Sequence, residues 1–551
     1  DRSPSRGLGD VYKRQIYILA AIILSNFMLA CSDESLNTLP TDSVSGEGMF
    51  SNATAALVPL NGIYRMMYTQ GWSTTGNTQQ CDGLTAWNLM GDVMGEDMVM
   101  KAAGSGWYWY DCIYNVKSNY TSSRWRSYDT WNGYYKLIAN ANYIIAAQNT
   151  MAGNTSDVNY VVGQAYAIRA YAYHYLAMTF ARTYIGHENE PGVPLYTEPT
   201  SAGTPGKARA SLSEVYKQVR ADIDTAVNLL ENAPTQKDKT HIDYYVANGI
   251  KARICLTTNE WSEAAKAARI ARSNYTPGTG KELTGGLNSV NLGNVMWGAT
   301  IITDQTPGWG PFLFHMDAFS KYNIDGTQVY AFKAPKCINV NLYKKMGEND
   351  VRRAWWEPNN NTIKDDAGNV LSNYIQVKFR FSDPITDLGD KIWMRMEEMY
   401  LTEAEAECRM NNDAKAQSIL REFMSYRDPN YQTSKTGKTL GALTSDETGS
   451  LLEEILIQRR IELWGEYGRI YDIKRLKQGF TRTQDMGWPI PALLNGTNTQ
   501  NPETYAWVLT IPQAEFDGNV NMDASKDQNP VGDGTVSYTH LRAHETDSYL
   551  V

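Results

Sequence analysis

Between Ala165 and Arg182 the sequence AYAIRAYAYHYLAMTFAR runs without a glycine or proline and sets alanine against large aromatic rings. Side chains alternating in size interdigitate where helices pack closely, and a helix with no polar face must be covered all round. The run therefore predicts a buried helix, and a chain containing one must supply further helices to cover it. These can be read downstream. Ser211-Leu212-Ser213-Glu214 is a capping box, in which the serine oxygen and the glutamate carboxylate satisfy free N–H groups of a first helical turn. Val215, Val219, Ile223, Ala226 and Leu230 then mark one face of a helix of about 20 residues. Tyr245–Leu256 and Trp261–Ala271, joined by Thr257-Thr258-Asn259-Glu260, predict a helical hairpin. Ile392–Met410 followed by Asp413–Tyr426 predicts another pair, and Leu451–Trp464 a further helix. The expected fold is mainly α: a tetratricopeptide-like scaffold of helix pairs with long irregular loop insertions and minor β structure. An irregular bundle is the alternative, because no strict period of about 34 residues is present.

Long segments rich in Gly, Asn, Thr and aromatics separate the helices, at 70–123, 186–210, 276–391 and 476–530. Val295–Ile302 and Tyr374–Phe381 read as minor strands within them. Irregular segments of this length usually carry function. The aromatic content, 15 Trp and 35 Tyr against 12 Phe, favours rings with a polar handle. Several stand beside glycines: Gly71-Trp72, Gly106-Trp107-Tyr108-Trp109-Tyr110 and Gly308-Trp309-Gly310. Rings on such loops can lie flat at the surface, where they match the apolar C–H face of a sugar while nearby amides and carboxylates meet its hydroxyls. Burial under neighbouring loops is the competing reading. Trp107 and Trp309 are the first candidates for ligand contact, then Trp72 and Tyr110.

Motifs for catalysis are missing. The residues Gly437-Lys438-Thr439 lack the upstream glycine of a phosphate loop, since Gln432 stands there. Outside the C-terminal tail, histidine is confined to His174, His187, His241 and His315, with no H-E-x-x-H and no G-x-S-x-G. Glu397, Glu398, Glu403, Glu405 and Glu407 lie along one predicted helix, where solvated or ion-paired side chains are expected rather than a catalytic pair across a cleft. No metal site and no cofactor follow from the cysteine spacing, which favours buried free thiols over a Cys81–Cys112 bridge. A net charge of -9 argues against nucleic acid as a partner.

Ile16–Leu29 is an apolar run behind Lys13 and Arg14, too short to span a membrane and right for a signal-peptide core. It ends at Ala30-Cys31 before Ser32-Asp33-Glu34, so residues 16–30 read as a lipoprotein signal peptide and Cys31 as the lipidated residue. Residues 1–15 and 535–551 look like translated adapter sequence, and His540 and His544 are not read as ligands. Residues 31–530 are expected to form one domain, with ligand-binding insertions at about 70–123 and 276–391.

Five further strings occur in a telling order: Leu60-Asn61-Gly62-Ile63-Tyr64; Ile168-Arg169-Ala170-Tyr171 with Gly192-Val193-Pro194-Leu195; Met394-Arg395-Met396-Glu397-Glu398-Met399-Tyr400-Leu401-Thr402-Glu403-Ala404-Glu405-Ala406; Arg459-Arg460-Ile461-Glu462-Leu463 with Asp472-Ile473-Lys474-Arg475; and Ile511-Pro512 with Gln528-Asn529-Pro530. Behind a lipoprotein cysteine, this series resembles the SusD/RagB nutrient-binding lipoproteins of Bacteroidetes. Gln458 and the Glu466-Tyr467-Gly468-Arg469 spacing depart from the family pattern. Arg459, Glu462, Glu466 and Arg469, at helical spacings, are expected to form a cross-paired ladder. The resemblance implies a non-catalytic glycan-binding protein, lipid-anchored on the extracellular face of the outer membrane. It would deliver oligo- or polysaccharide to a SusC-like TonB-dependent transporter. The alternative it leaves open is a peptide- or protein-binding helical-repeat lipoprotein of a nutrient-uptake complex.

Overall fold

The computed structural model describes residues 46–69, 80–101, 107–123, 126–234, 238–305, 312–318, 321–324, 327–330, 336–364, 370 and 372–532. Its main helices are α1 (Ala53–Met66), α2 (Leu84–Met94), α3 (Arg126–Ala146), α4 (Thr155–Phe180), α5 (Leu212–Leu230), α6 (Tyr244–Thr257), α7 (Trp261–Arg272), α8 (Met396–Arg409), α9 (Asp413–Met424), α10 (Leu451–Glu462) and α11 (Arg469–Leu476). The alanine-aromatic run lies in α4, which Asn154 caps by accepting the Asp157 N–H at 2.8 Å. From 167 to 180 every residue is buried, as a helix without a polar face requires.

From α3 onward each helix packs on the one before it, through α4, α5, α6 and α7. The series does not stop at the long insertion: α8 lies directly on α7, and α9 and α10 pack on α8 in turn. Alanine makes the close spacing feasible. Ala264, Ala265, Ala267, Ala268 and Ala271 of α7 are all buried, and Ala264 and Ala265 meet Cys255, Leu256 and Ala406 from the flanking helices. The capping box at α5 forms as expected, with Ser211 Oγ accepting the Glu214 N–H at 3.2 Å and Glu214 accepting the Ser211 N–H at 2.8 Å.

Sheet structure is minor. Strands β1 (Met98–Met100), β5 (Lys336–Ile338), β7 (Ile375–Gln376) and β6 (Trp356–Glu357) form an antiparallel sheet in that order. β2 (Val295–Ala299) pairs with β8 (Lys391–Arg395), and β3 (Lys321–Ile324) with β4 (Thr327–Tyr330). Three expectations change. The helix predicted over Ile392–Met410 begins only at Met396, because the residues before it are the partner strand of β2. The strand expected over Tyr374–Phe381 shrinks to two residues, and the segment 70–123 is not all loop, since it holds α2, buried along its whole length. Cys81, Cys112, Cys255, Cys337 and Cys408 are buried free thiols, so no Cys81–Cys112 bridge forms. Cys31 and the signal-like segment lie outside the described residues, among which no helix is long and apolar enough to cross a membrane.

Candidate functional site

The insertions at 70–123 and 276–391 meet in space. On the first, Tyr108 takes a left-handed conformation (φ 66°) and starts the short helix Trp109–Cys112. That turn sends neighbouring rings to different places: Tyr108 and Trp109 are buried, while Trp107 and Tyr110 are half-buried against the core. The Tyr108 N–H donates to Gln80 Oε1 at 2.6 Å, and the Arg126 guanidinium, itself paired with Asp111 at 3.1 Å, lies 5.1 Å from the Tyr108 ring centroid. From the second insertion, the helix Phe312–Met316 brings up Phe314 and His315. The Trp107 ring lies 5.0 Å from the His315 ring and 5.7 Å from Phe314, and Tyr108 meets His315 edge-on at 5.0 Å.

Buried polar contacts fix this junction. Asp82 accepts the Phe312 N–H at 3.1 Å and pairs with Lys391 at the end of the second insertion. Burial raises the Asp82 carboxyl above its ordinary range, against the pull of the Lys391 ammonium. Lys336 reaches the His315 carbonyl at 3.0 Å, and Gln376 donates to the Met316 carbonyl. A partly exposed indole thus rests on rings carried by a backbone that these contacts pin. Such a ledge can offer apolar area to a flat ligand. Among the described residues no group of three or more His, Cys, Asp or Glu could hold a metal. Trp72 and Trp309 lie outside the described residues. His315, Phe314 and Asp82, which support the ledge, were not marked by any motif in the sequence.

Residues 85–256 match a family model described as starch-binding, associating with the outer membrane, and residues 316–531 match the model of the SusD family. The chain belongs to the SusD/RagB family. Its fold is similar to that of a SusD-like carbohydrate binding protein from Bacteroides vulgatus, at 24% identity and a TM-score of 0.69 over 86% of this chain and 98% of the other. It is also similar to a laminarin binding SusD-like protein, at 18% identity and a TM-score of 0.59 over 87% and 100%. A third likeness is to surface glycan-binding protein A from Bacteroides thetaiotaomicron in complex with laminarihexaose, at 15% identity and a TM-score of 0.61 over 86% and 98%. No curated protein matches the sequence.

In this SusD/RagB chain the glutamate-rich helix is α8, and all five of its carboxylates are buried and paired. Glu397 meets Arg395 and Arg427, Glu398 meets Arg253, and Glu403 takes both Arg269 and Arg272. Glu405 is bound by Arg475, which with Arg409 and Arg459 holds its carboxyl below the ordinary range despite burial, and Glu407 by Arg269 and Lys415. These pairs tie helices together. The ladder expected among Arg459, Glu462, Glu466 and Arg469 does not form, because α10 ends at Glu462 and Gly465 and Gly468 (φ 79° and 92°) turn the chain. Arg459 instead pairs with Asp472, Glu466 with Arg395 and Lys378, and Arg469 with Glu96 and Asp97.

Proposed function

We propose that this protein captures oligo- or polysaccharide at the cell surface and passes it to a partner TonB-dependent outer-membrane transporter, without cleaving it. Cys31 carries the lipid that anchors it to the extracellular face of the outer membrane. Residues 31–530 act as one unit, in which the helical stack is the support and the two insertions form the ligand face, with Trp107, Trp309, Trp72 and Tyr110 as the contacting rings. The observation that carries this reading is the partly exposed Trp107 ring, seated on His315 and Phe314 where the insertions meet. The family, and the glycans named for two proteins of similar fold, support carbohydrate as the ligand class.

Native affinity electrophoresis through gels containing laminarin, starch, xylan, mannan or host mucin glycans tests it. One polysaccharide should retard the mature chain, and Trp107→Ala should weaken that retardation about tenfold, the usual effect of removing a central aromatic contact. Retardation untouched by this variant would move the ligand away from the ledge, and none with any glycan would turn the reading to peptide uptake.

A further inference from the structure

A second cleft, sharing no residue with the Trp107 ledge, opens between α3, the loop 194–206 and the helix Gln513–Gly518. Its volume is 390 Å³, and its walls include Trp131, Tyr135, Tyr196, Asn132, Glu515 and Asn519. The rings are fixed. Trp131 is 4% exposed and donates its Nε1–H to Glu515 Oε2 at 3.0 Å, while Glu515 Oε1 accepts from Asn519 Nδ2 at 2.7 Å. The Tyr135 hydroxyl donates to the Pro194 carbonyl at 2.8 Å, and its ring stands edge-on to Tyr173 at 6.4 Å and to Tyr196 at 6.0 Å. The Tyr196 hydroxyl accepts the Lys207 N–H at 2.9 Å, and the Lys207 ammonium lies 5.4 Å from the ring centroid. The Asn132 side chain makes no hydrogen bond among the described residues, which leaves its amide available in the cleft.

A hollow of this size with two partly exposed rings, Tyr135 and Tyr196, backed by the buried Trp131, and with a carboxylate and amides suits a small amphipathic polyol, because the rings supply area and the polar groups supply orientation. Rings already locked in place lose little freedom on binding. Its lining carries one lysine, Lys136, and one glutamate, Glu515, so the cleft has no net positive charge with which to cradle a phosphate or other strong anion. Its position is also informative. The Thr200 carbonyl at its rim accepts from the Tyr143 hydroxyl at 2.6 Å, and Tyr143 stacks on Phe50 at 6.2 Å, close to where the described chain begins.

We propose that this cleft is a second carbohydrate-contact site, taking one or two sugar rings of an oligosaccharide, beside the N-terminal end of the scaffold. The proposal rests on the glycan-binding reading above but not on the Trp107 ledge. Two sites on one rigid support would let a polysaccharide engage the protein twice.

The test is titration calorimetry of the mature chain with laminarihexaose, maltohexaose, cellohexaose and mannohexaose, with hydrogen-exchange mass spectrometry on each that binds. Protection is expected over 131–139 and 194–206 as well as over 107–113. Tyr196→Ala should weaken binding at the cleft about tenfold and remove its protection, leaving that of the ledge. Gly518→Trp should do the same, and it guards against a folding defect in the first variant. A Cβ at Gly518 meets nothing within 4 Å, and the residue lines the cleft, so a side chain added there starts from open space and projects an obstructing ring at the cleft. Protection at the ledge alone, unchanged in both variants, overturns the second site and leaves the first. Protection at the cleft alone, indifferent to Trp107→Ala, upholds the second site and overturns the first. Binding by none of the four sugars overturns the second site, and with no retardation in any of the gels it overturns the first as well.

Discussion

Asp92 sits inside α2 with its Oδ1 accepting the Arg469 N–H at 3.0 Å, and burial pushes its carboxyl up to about 8 against the pull of that hydrogen bond. In the unfolded chain an aspartate titrates near about 3.9. The folded value is the higher one, so folding takes up a proton. The stability linked to it is complete below about 3.9 and is lost as the pH rises through 8. Asp92→Asn keeps the acceptor and abolishes the titration. Its melting temperature should match that of the parent below about pH 4, exceed it by a margin that grows from pH 4 to 8, and hold that margin above 8; a margin independent of pH would refute the assignment. At this scale the sequence is hard to read. Trp107 and Trp109 sit in the same glycine-led aromatic string, yet one ring is partly exposed and the other 7% exposed, because the left-handed Tyr108 between them redirects the chain. No local pattern announces a tyrosine at positive φ, since tertiary packing holds it there.

The same glycine-rich language hides α2. Its sequence LTAWNLMGDVM has no charged face and is buried throughout, so the 3.6-residue alternation that exposed α5 is absent. Gly83 begins it at φ 68°, and a Cβ there would lie 2.1 Å from the Met67 carbonyl oxygen, which accepts the Leu84 N–H at 2.9 Å. Gly83→Ala should therefore cost at least about 2 kcal/mol in urea unfolding, from strain and displacement together; a neutral result would show that the turn can relax. The helices that were legible, α4 to α7, α9 and α10, owe it to caps, polar turns and alanine seams, all of them local signals. The boundary at Met396 was not legible. Lys391–Arg395 continues the apolar run into α8 and becomes a strand only because β2, far upstream, offers it a ladder.

Across the whole molecule, Glu462 gathers distant segments. It receives Arg427 at 2.9 Å, Arg395 at 3.0 Å and Arg352 at 3.4 Å, all four side chains fully buried, and Arg352 brings part of the long insertion to the stack. Burial alone would raise the Glu462 carboxyl, but Arg427 and Arg395 hold it well below the usual carboxylate range. Glu462→Gln strands buried guanidinium groups and should destabilise the fold by about 3–5 kcal/mol at neutral pH. The depressed carboxyl contributes fully above its unfolded value near about 4.3 and loses that contribution as the pH falls towards the folded one. The stability difference should accordingly be flat from pH 6 to 8 and narrow below pH 4, measured by denaturant titration at each pH. The direct seat of α8 on α7, across the whole span from Ser273 to Arg395, has a kinetic consequence. The contacts from α3 to α7 are between sequence neighbours and close cheaply, whereas this seam must close a loop of more than a hundred residues before its packing repays the entropy lost. In pulsed hydrogen exchange during refolding, amides of α4 to α6 should gain protection before those of α8. Until that late step the two halves of the stack remain apart, and the folding chain passes through an interval in which it is still open.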